Sequence, residues 1–170
     1  QRGENPWQRL EVLRYQNASL EFRASISLLT EHGYSKSDVL SADTMRYLLV
    51  ELAKRNVSQI VVIDPLLQAD RLQPVFKAAK ELGIVAIGVL PFTEDETLND
   101  QYFAEKAALL HSLGAERLML RDESGVLTPD RVASLIPAIL NSLDDIPLIL
   151  HTRCVTGLGP LVAIDAVRLG

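Results

Sequence analysis

Two apolar stretches of this sequence are each followed by side chains that bind or transfer charged groups. Arg121 follows Arg117–Leu120, and His151 and Arg153 follow Ile146–Leu150. Because the carboxyl ends of neighbouring parallel strands meet at one edge of a sheet, we expect these side chains to lie close together. Guanidinium groups bind carboxylates and phosphates, and an imidazole acts as an acid or a base. The pattern therefore predicts an anion-binding pair, Arg121 and Arg153, with His151 as a catalytic residue.

The same two arginines have a structural interpretation. Asp122 and Glu123 directly follow Arg121, and Asp64 ends another apolar stretch. Each arginine could pair with one of these acids in a salt bridge, as charged residues near strand ends commonly do. The sequence leaves the anion site and the salt bridge open as alternatives.

Two further residues are candidates for chemistry. Asp64, at the end of Gln59–Ile63, is the second candidate catalytic residue. It also precedes Pro65, and the turn chemistry of this dipeptide favours a turn-forming role. Cys154 is expected to be a small buried apolar residue and not a nucleophile.

Alternating apolar strands and amphipathic helices must position these residues. The apolar runs are unbroken, which is typical of parallel strands covered on both faces. We expect helices whose caps are Ser37 or Asp38, Thr97 or Asn99, and Thr128, with Gly83 ending another helix. The predicted strands cover residues 20–29, 59–63, 84–90, 117–120 and 146–150, a turn covers 30–33, and the predicted helices cover 6–15, 38–55, 70–82, 97–113, 129–142 and 161–169.

The composition narrows the class of protein. The chain has 170 residues, of which 48% are hydrophobic and 23% charged, as is ordinary for a folded globular protein. A net charge of -5 without a basic stripe predicts no nucleic-acid partner. The single cysteine excludes an intrachain disulfide and suits a reducing compartment. With no apolar run of membrane-spanning length and no basic leader, we expect no membrane insertion and a cytoplasmic location.

Several segments carry a resemblance to a known family. The most specific is Leu120–Pro129, which is similar to the family's run Ile-Lys-Asp-Met-Ala-Gly-Leu-Leu-Thr-Pro. The others are Glu4–Leu10, Gly88–Thr93, Ile146–Pro147 and His151–Arg153. Together they resemble the carboxyltransferase barrel of biotin-dependent enzymes, such as pyruvate carboxylase and the oxaloacetate decarboxylase alpha chain, within the superfamily of HMG-CoA-lyase-like barrels.

This resemblance implies an α/β fold, namely a partial (β/α)8 TIM barrel of about five parallel βα units. Residues 1–170 would form a single barrel fragment that begins after the family's second strand and ends before its eighth. The alternative is an independent, doubly wound sheet of five strands, which periodicity alone would favour. The resemblance favours the barrel, whose open edges another molecule or another copy would cover.

The resemblance also implies where the family's functional residues would lie. Family members bind a divalent metal through an Asp of the first strand, a carbamylated Lys and a His-x-His pair. Here the Lys position is Arg121, the pair is His151 and Arg153, and the strand that carries the Asp is not in this sequence. Asp64 matches an Asp at a family strand end, whereas Ser25 or Ser27 replaces a substrate-binding Arg. A guanidinium is neither carbamylated nor a metal ligand, so we expect no bound metal or other cofactor.

Three functions follow from the resemblance. The first is a degenerate carboxyltransferase-like domain that is inactive in metal-dependent chemistry. The second is a metal-free decarboxylase, lyase or carboxyltransferase in which Arg121 and Arg153 replace the metal's charge and act on a 2-oxo acid. The third is an interaction module that packs on a true barrel subunit. The implied partners are a 2-oxo acid or another small anion and a biotinyl domain that carries the biotin.

Overall fold

The structure is a computed structural model that describes residues 3, 5–17, 19–29 and 40–170. Strands and helices alternate along this part of the chain. The elements are α1 (Pro6–Gln16), β1 (Phe22–Ser27), α2 (Ala42–Lys54), β2 (Val57–Ile63), α3 (Ala69–Glu81), β3 (Val85–Pro91), α4 (Asp100–Ser112), β4 (Arg117–Asp122), α5 (Pro129–Leu140), β5 (Leu148–Thr152) and α6 (Gly159–Leu169).

The five strands form one sheet in which every neighbouring pair is parallel. Their order is β1-β2-β3-β4-β5, the same as their order in the chain. Since strand–helix–strand connections are right-handed, a sequential order places all crossover helices on one face of the sheet. A doubly wound sheet reverses its strand order and carries helices on both faces. The predicted partial barrel is therefore confirmed.

Alternate residues of each strand face opposite sides of this sheet. The helix side holds the larger core, which includes Phe76, Phe103 and Leu120. The other side, which would be the interior of a barrel, has its own buried cluster of Val61, Ile87, Val89 and Met119.

The strand register stacks the inner side chains in layers. Val89 pairs with Met119, which pairs with Ile149, so these apolar residues form one layer across three strands. Two residues further along, Pro91 pairs with Arg121, which pairs with His151. The candidate site is therefore a polar layer at the C-terminal edge, directly above an apolar layer.

Helix starts follow local capping chemistry. Thr128 directly precedes Pro129, the first residue of α5, and its side chain accepts a hydrogen bond from the Arg131 amide. The Asn99 side chain likewise accepts one from the Tyr102 amide at the start of α4. These observations confirm the Thr128 cap and select Asn99 over Thr97.

The start of α2 differs from its prediction. Ser37, Asp38 and the predicted turn at residues 30–33 lie outside the described residues. Leu40 and Ser41 are described and precede the helix, and the Ser41 side chain accepts a hydrogen bond from the Thr44 amide. The helix therefore begins at Ala42, because Ser41 caps its first turn.

Both outer strands have one unpaired edge within the described part of the chain, since β1 pairs only with β2 and β5 only with β4. Beside the β5 edge, α6 exposes Leu161, Ile164 and Val167. A groove of about 280 Å³ between α5, α6 and β5 has an apolar lining that includes Leu148 and Leu150. None of the described helices has the length and apolar character needed to cross a membrane.

We expect the purified 170-residue chain to self-associate through this apolar face, because exposed apolar patches beside an unpaired strand favour association. Light scattering should give a mass above that of the monomer, and Ile164→Lys with Val167→Lys should lower it. Tyr47→Lys, at an apolar residue that is 65% exposed on α2, is the control. A clean wild-type monomer over a wide concentration range would contradict this expectation.

Candidate functional site

The predicted site residues Arg121 and Arg153 converge, and a carboxylate lies between them. Arg121 Nη2 forms an ion pair with Glu123 Oε1. Arg153 Nη2 lies 2.9 Å from Glu123 Oε2. Each carboxylate oxygen thus contacts one guanidinium, and the three groups together carry a formal charge of +1, from two cations and one anion. We call these three residues the Arg–Glu–Arg cluster.

The cluster opens to solvent on one side. The side chain of Arg121 is 23% exposed, that of Glu123 is 42% exposed and that of Arg153 is 62% exposed. The Nε of Arg121 is buried and has no hydrogen-bond partner within the described part of the chain. An ion pair this exposed contributes little to stability, about 0–1 kcal/mol. Solvent therefore has access to Glu123 and Arg153, whereas Arg121 lies deeper.

Strand alternation explains why Glu123, and not Asp122, pairs with the arginines. Residues two apart in a strand share a face, so Arg121 lies on the inner face and Asp122 points to the helix side. Glu123 directly follows β4 and continues this alternation, which brings its carboxylate to the inner-face arginines. The sequence prediction treated both acids alike. The period of two along β4 was the signal that could have separated them.

Asp122 instead organises the loop that follows β4. Its side chain is fully buried. Its carboxylate accepts hydrogen bonds from the amides of Gly125 at 2.9 Å, Val126 at 3.2 Å and Leu127 at 3.0 Å, and from Thr152 Oγ1 at 2.8 Å. A buried carboxylate is tolerated when several donors converge on it, as they do here. Asp122 thus joins its own loop to the end of β5.

The loops after β4 and β5 also meet through their backbones. The Arg153 amide donates to the Asp122 carbonyl at 3.1 Å. Thr156 Oγ1 donates to the Gly125 carbonyl at 2.7 Å. Gly125 has a φ of +66°, and a Cβ there would lie 2.1 Å from the Arg153 carbonyl oxygen. These contacts fix the backbone of Arg153 relative to Arg121 and Glu123.

Asp64 lies apart from the cluster. Its carboxylate is buried and accepts hydrogen bonds from the amides of Leu66 at 3.1 Å and Gln68 at 3.0 Å. Arg71 Nη1 lies 3.7 Å from it. Asp64 directly follows β2, which is two strands from β4, so roughly 10 Å of sheet separates it from Arg121. These contacts are those of a turn former, and a catalytic role for Asp64 stays a prediction.

His151 and Cys154 both lie at the exposed end of β5. His151 is the register partner of Arg121, which places it in the same layer. Its side chain is exposed, and within the described residues it has no hydrogen bond or ion pair. Cys154 is exposed, so the prediction that it is buried is wrong. The short apolar run of β5 ends before Cys154, and the loop carries this residue outside the core.

Known proteins that are similar in sequence to this chain include two carboxylases. No family model matches the chain. The pyruvate carboxylase of Staphylococcus aureus is 28% identical over 175 residues, which cover 98% of this chain and 15% of that protein. The large subunit of 2-oxoglutarate carboxylase from Hydrogenobacter thermophilus is 27% identical over 173 residues, which cover 98% of this chain and 25% of that protein.

The solved carboxyl transferase domain of Rhizobium etli pyruvate carboxylase with pyruvate superposes with a TM-score of 0.88. Its sequence identity is 21%, and the match covers 98% of this chain and 29% of that one. The chain has the fold of a partial carboxyltransferase barrel. It spans less than a third of each of these relatives, so their activities are not transferred to it directly.

The residues present do not fit the divalent metal that the resemblance implies. Within the described ranges, no three His, Cys, Asp or Glu side chains are grouped so that they could hold a metal ion. At the partial barrel's strand ends, Arg121 and Arg153 offer only cationic donors, which repel a cation. Glu123 is the carboxylate that pairs with these two arginines, and both of its oxygens contact guanidiniums.

Proposed function

We propose that this chain is a carboxyltransferase-like barrel segment whose strand-end site binds a small carboxylate and does not carry out metal-dependent carboxyl transfer. The observation that carries this proposal is the Arg–Glu–Arg cluster. Glu123 already occupies the position between two guanidiniums that an external carboxylate would take. Paired guanidiniums recognise carboxylates through charge and planar geometry.

The degenerate character of the segment follows from its donor set. In the resemblance, Arg121 and Arg153 correspond to the family's carbamylated Lys and second His, and arginine stays protonated at physiological pH. A fixed positive charge at both positions removes metal-bound chemistry from this edge. What remains is an electrostatic site for an anion.

A metal-free decarboxylase is the second candidate, because His151 shares the layer of Arg121 and is exposed at the same edge. Loss of CO2 from a 2-oxo acid with a 3-carboxylate leaves an enolate. Guanidiniums would stabilise the enolate oxygen, and the His151 imidazole would supply a proton to the carbon. This route also places the substrate carboxylate on the arginines.

The proposed partners follow from the surface as well as the site. The unpaired β5 edge and the apolar face of α6 support packing against another barrel subunit or a second copy. A biotinyl domain would be a partner only if the strand-end site still acts in carboxyl transfer.

Anion binding at the cluster should depend on both arginines. Titration calorimetry with pyruvate, oxaloacetate and phosphate should detect binding to the wild type and at least about a tenfold loss in Arg121→Ala/Arg153→Ala, because a charge-assisted contact contributes about 1.5–3 kcal/mol. Arg46→Ala, which removes an exposed ion pair with Glu81, is the matched control. Equal binding by all three proteins, or none by the wild type, would leave only the structural salt bridge.

The same preparation, purified without chelator, tests the metal half of the proposal. Elemental analysis should find no stoichiometric zinc, manganese or magnesium. About one equivalent of metal, lost in His151→Ala, would overturn it.

A further inference from the structure

We infer that Glu123 shifts the ligand preference of the strand-end site toward monocarboxylates, because its negative charge weakens the binding of a dianion more than that of a monoanion. This inference rests on the proposed anion site. Glu123 contacts both guanidiniums, one through each carboxylate oxygen. It therefore behaves as an internal carboxylate that any external anion must displace or adjoin.

Charge at the site sets this preference. The Arg–Glu–Arg cluster carries a formal charge of +1, and the neighbouring Asp122 carboxylate, held by three amides and a hydroxyl on the helix side, lowers the local positive potential further. A monoanion that joins the cluster neutralises it. The two guanidiniums attract a dianion twice as strongly as a monoanion, and Glu123 repels it twice as strongly, because Coulomb energy scales with the product of charges. The carboxylate of Glu123 therefore subtracts more binding energy from a dianion than from a monoanion.

An external anion can compete with Glu123 for the two arginines because the cluster is exposed to solvent. Glu123 is 42% exposed and Arg153 is 62% exposed, so water and small ligands reach the pair without opening the core. The deeper Arg121 keeps a buried Nε without a hydrogen-bond partner in the described structure. Glu123 contacts Nη2 of this guanidinium and leaves Nε without a partner among the described residues. An incoming carboxylate has donors on both arginines once Glu123 swings toward solvent.

Glu96 provides a control for the change in net charge that Glu123→Gln makes. Glu96, on the loop after β3, is an exposed carboxylate for which the described structure shows no ion pair. It follows a strand next to β4, at the same edge of the sheet. Glu96→Gln therefore makes the same change in net charge without touching the cluster.

The test compares pyruvate, a monocarboxylate, with malonate, a stable dicarboxylate of similar size, by titration calorimetry. Glu123→Gln should raise pyruvate affinity by about fivefold and malonate affinity by about 25-fold, since one charge at about 4 Å in water changes the energy by about 1 kcal/mol per ligand charge. Glu96→Gln should change both affinities by less than about twofold. Raising the salt concentration should reduce the effect of Glu123→Gln on both ligands, because salt screens exposed charges.

The outcomes separate the two claims. If Arg121→Ala/Arg153→Ala abolishes binding but Glu123→Gln leaves the ratio of malonate to pyruvate affinity unchanged, the anion site stands and the role of Glu123 is wrong. If Glu96→Gln changes the ratio as much as Glu123→Gln, the effect is one of net charge and the role of Glu123 is again wrong. If neither ligand binds the wild type or Glu123→Gln, or if loss of both arginines has no effect, the anion site fails and the inference fails with it. Thermal unfolding followed by circular dichroism verifies that each variant is folded.

Discussion

Asp122→Ala should destabilise the protein by about 4 kcal/mol, because it removes the acceptor of two buried and two part-buried hydrogen bonds and each donor left without a partner costs about 1 kcal/mol or more. The four donors are the amides of Gly125, Val126 and Leu127 and the hydroxyl of Thr152. No solvent reaches Asp122, whose side chain is fully buried, so water cannot replace the lost carboxylate without a rearrangement of the loop. Urea unfolding at neutral pH measures the change.

Asp122→Asn should lie between the wild type and the alanine variant. Its amide keeps one oxygen, which can still accept from Gly125 and Val126, but its NH2 group would face the Leu127 amide. Asp144→Ala is the control, since Asp144 is an exposed carboxylate of the loop before β5. Its effect should be within about 0.5 kcal/mol. An equally small effect of Asp122→Ala would show that Asp122 does not hold these loops together.

The sheet and its strand ends could be predicted from the sequence because each strand is a separate, unbroken apolar run. Such runs occur in parallel strands buried on both faces, and their order along the chain matches their order in the sheet. Caps at Thr128 and Asn99 were predictable for a similar reason, since capping depends on a side chain and amides within the same turn. Ser41 competed with Ser37 and Asp38 as a cap for α2, and sequence alone does not rank such neighbours.

The bounds of β5 show where local reasoning fails. The apolar run suggested a strand at residues 146–150, whereas β5 is Leu148–Thr152. Its register with β4 pairs Asp122 with Thr152, and the Thr152 hydroxyl donates to the Asp122 carboxylate. The strand thus includes the polar residues His151 and Thr152, and the contact of Thr152 with Asp122 belongs to the tertiary structure. No periodicity within β5 indicates such a contact.

The candidate site was predictable in location but not in its internal pairing. Parallel strand ends bring Arg121 and Arg153 to one edge, and the sequence suffices for that. Which acid lies between them depends on the face of β4, and Glu123 shares the face of Arg121. The junction between the two loops was not visible at all, because Gly125, Thr156 and Arg153 meet only through backbone atoms and a hydroxyl.

Gly125→Ala should be nearly as damaging as the loss of Asp122, for two separable reasons. Its φ of +66° is unfavourable for a residue with a side chain, which costs about 1 kcal/mol. The added Cβ would also lie 2.1 Å from the Arg153 carbonyl oxygen, a backbone atom that cannot turn away as a side chain does. Since Arg153 is held by its amide to Asp122, the clash must be relieved by movement of the loop after β5. We expect a total loss of about 3–4 kcal/mol.

Gly83→Ala isolates the backbone contribution, because Gly83 has a φ of +69° and no atom lies within 4 Å of its added Cβ. It should cost only about 1 kcal/mol. The difference between the two variants in urea unfolding therefore measures the contact with Arg153. Movement of the Arg153 backbone should also separate its guanidinium from Glu123, so pyruvate affinity should fall in Gly125→Ala and stay unchanged in Gly83→Ala. If the two glycine variants lose equal stability, the loops after β4 and β5 are not in contact at Gly125, and the fixed position of Arg153 has no basis.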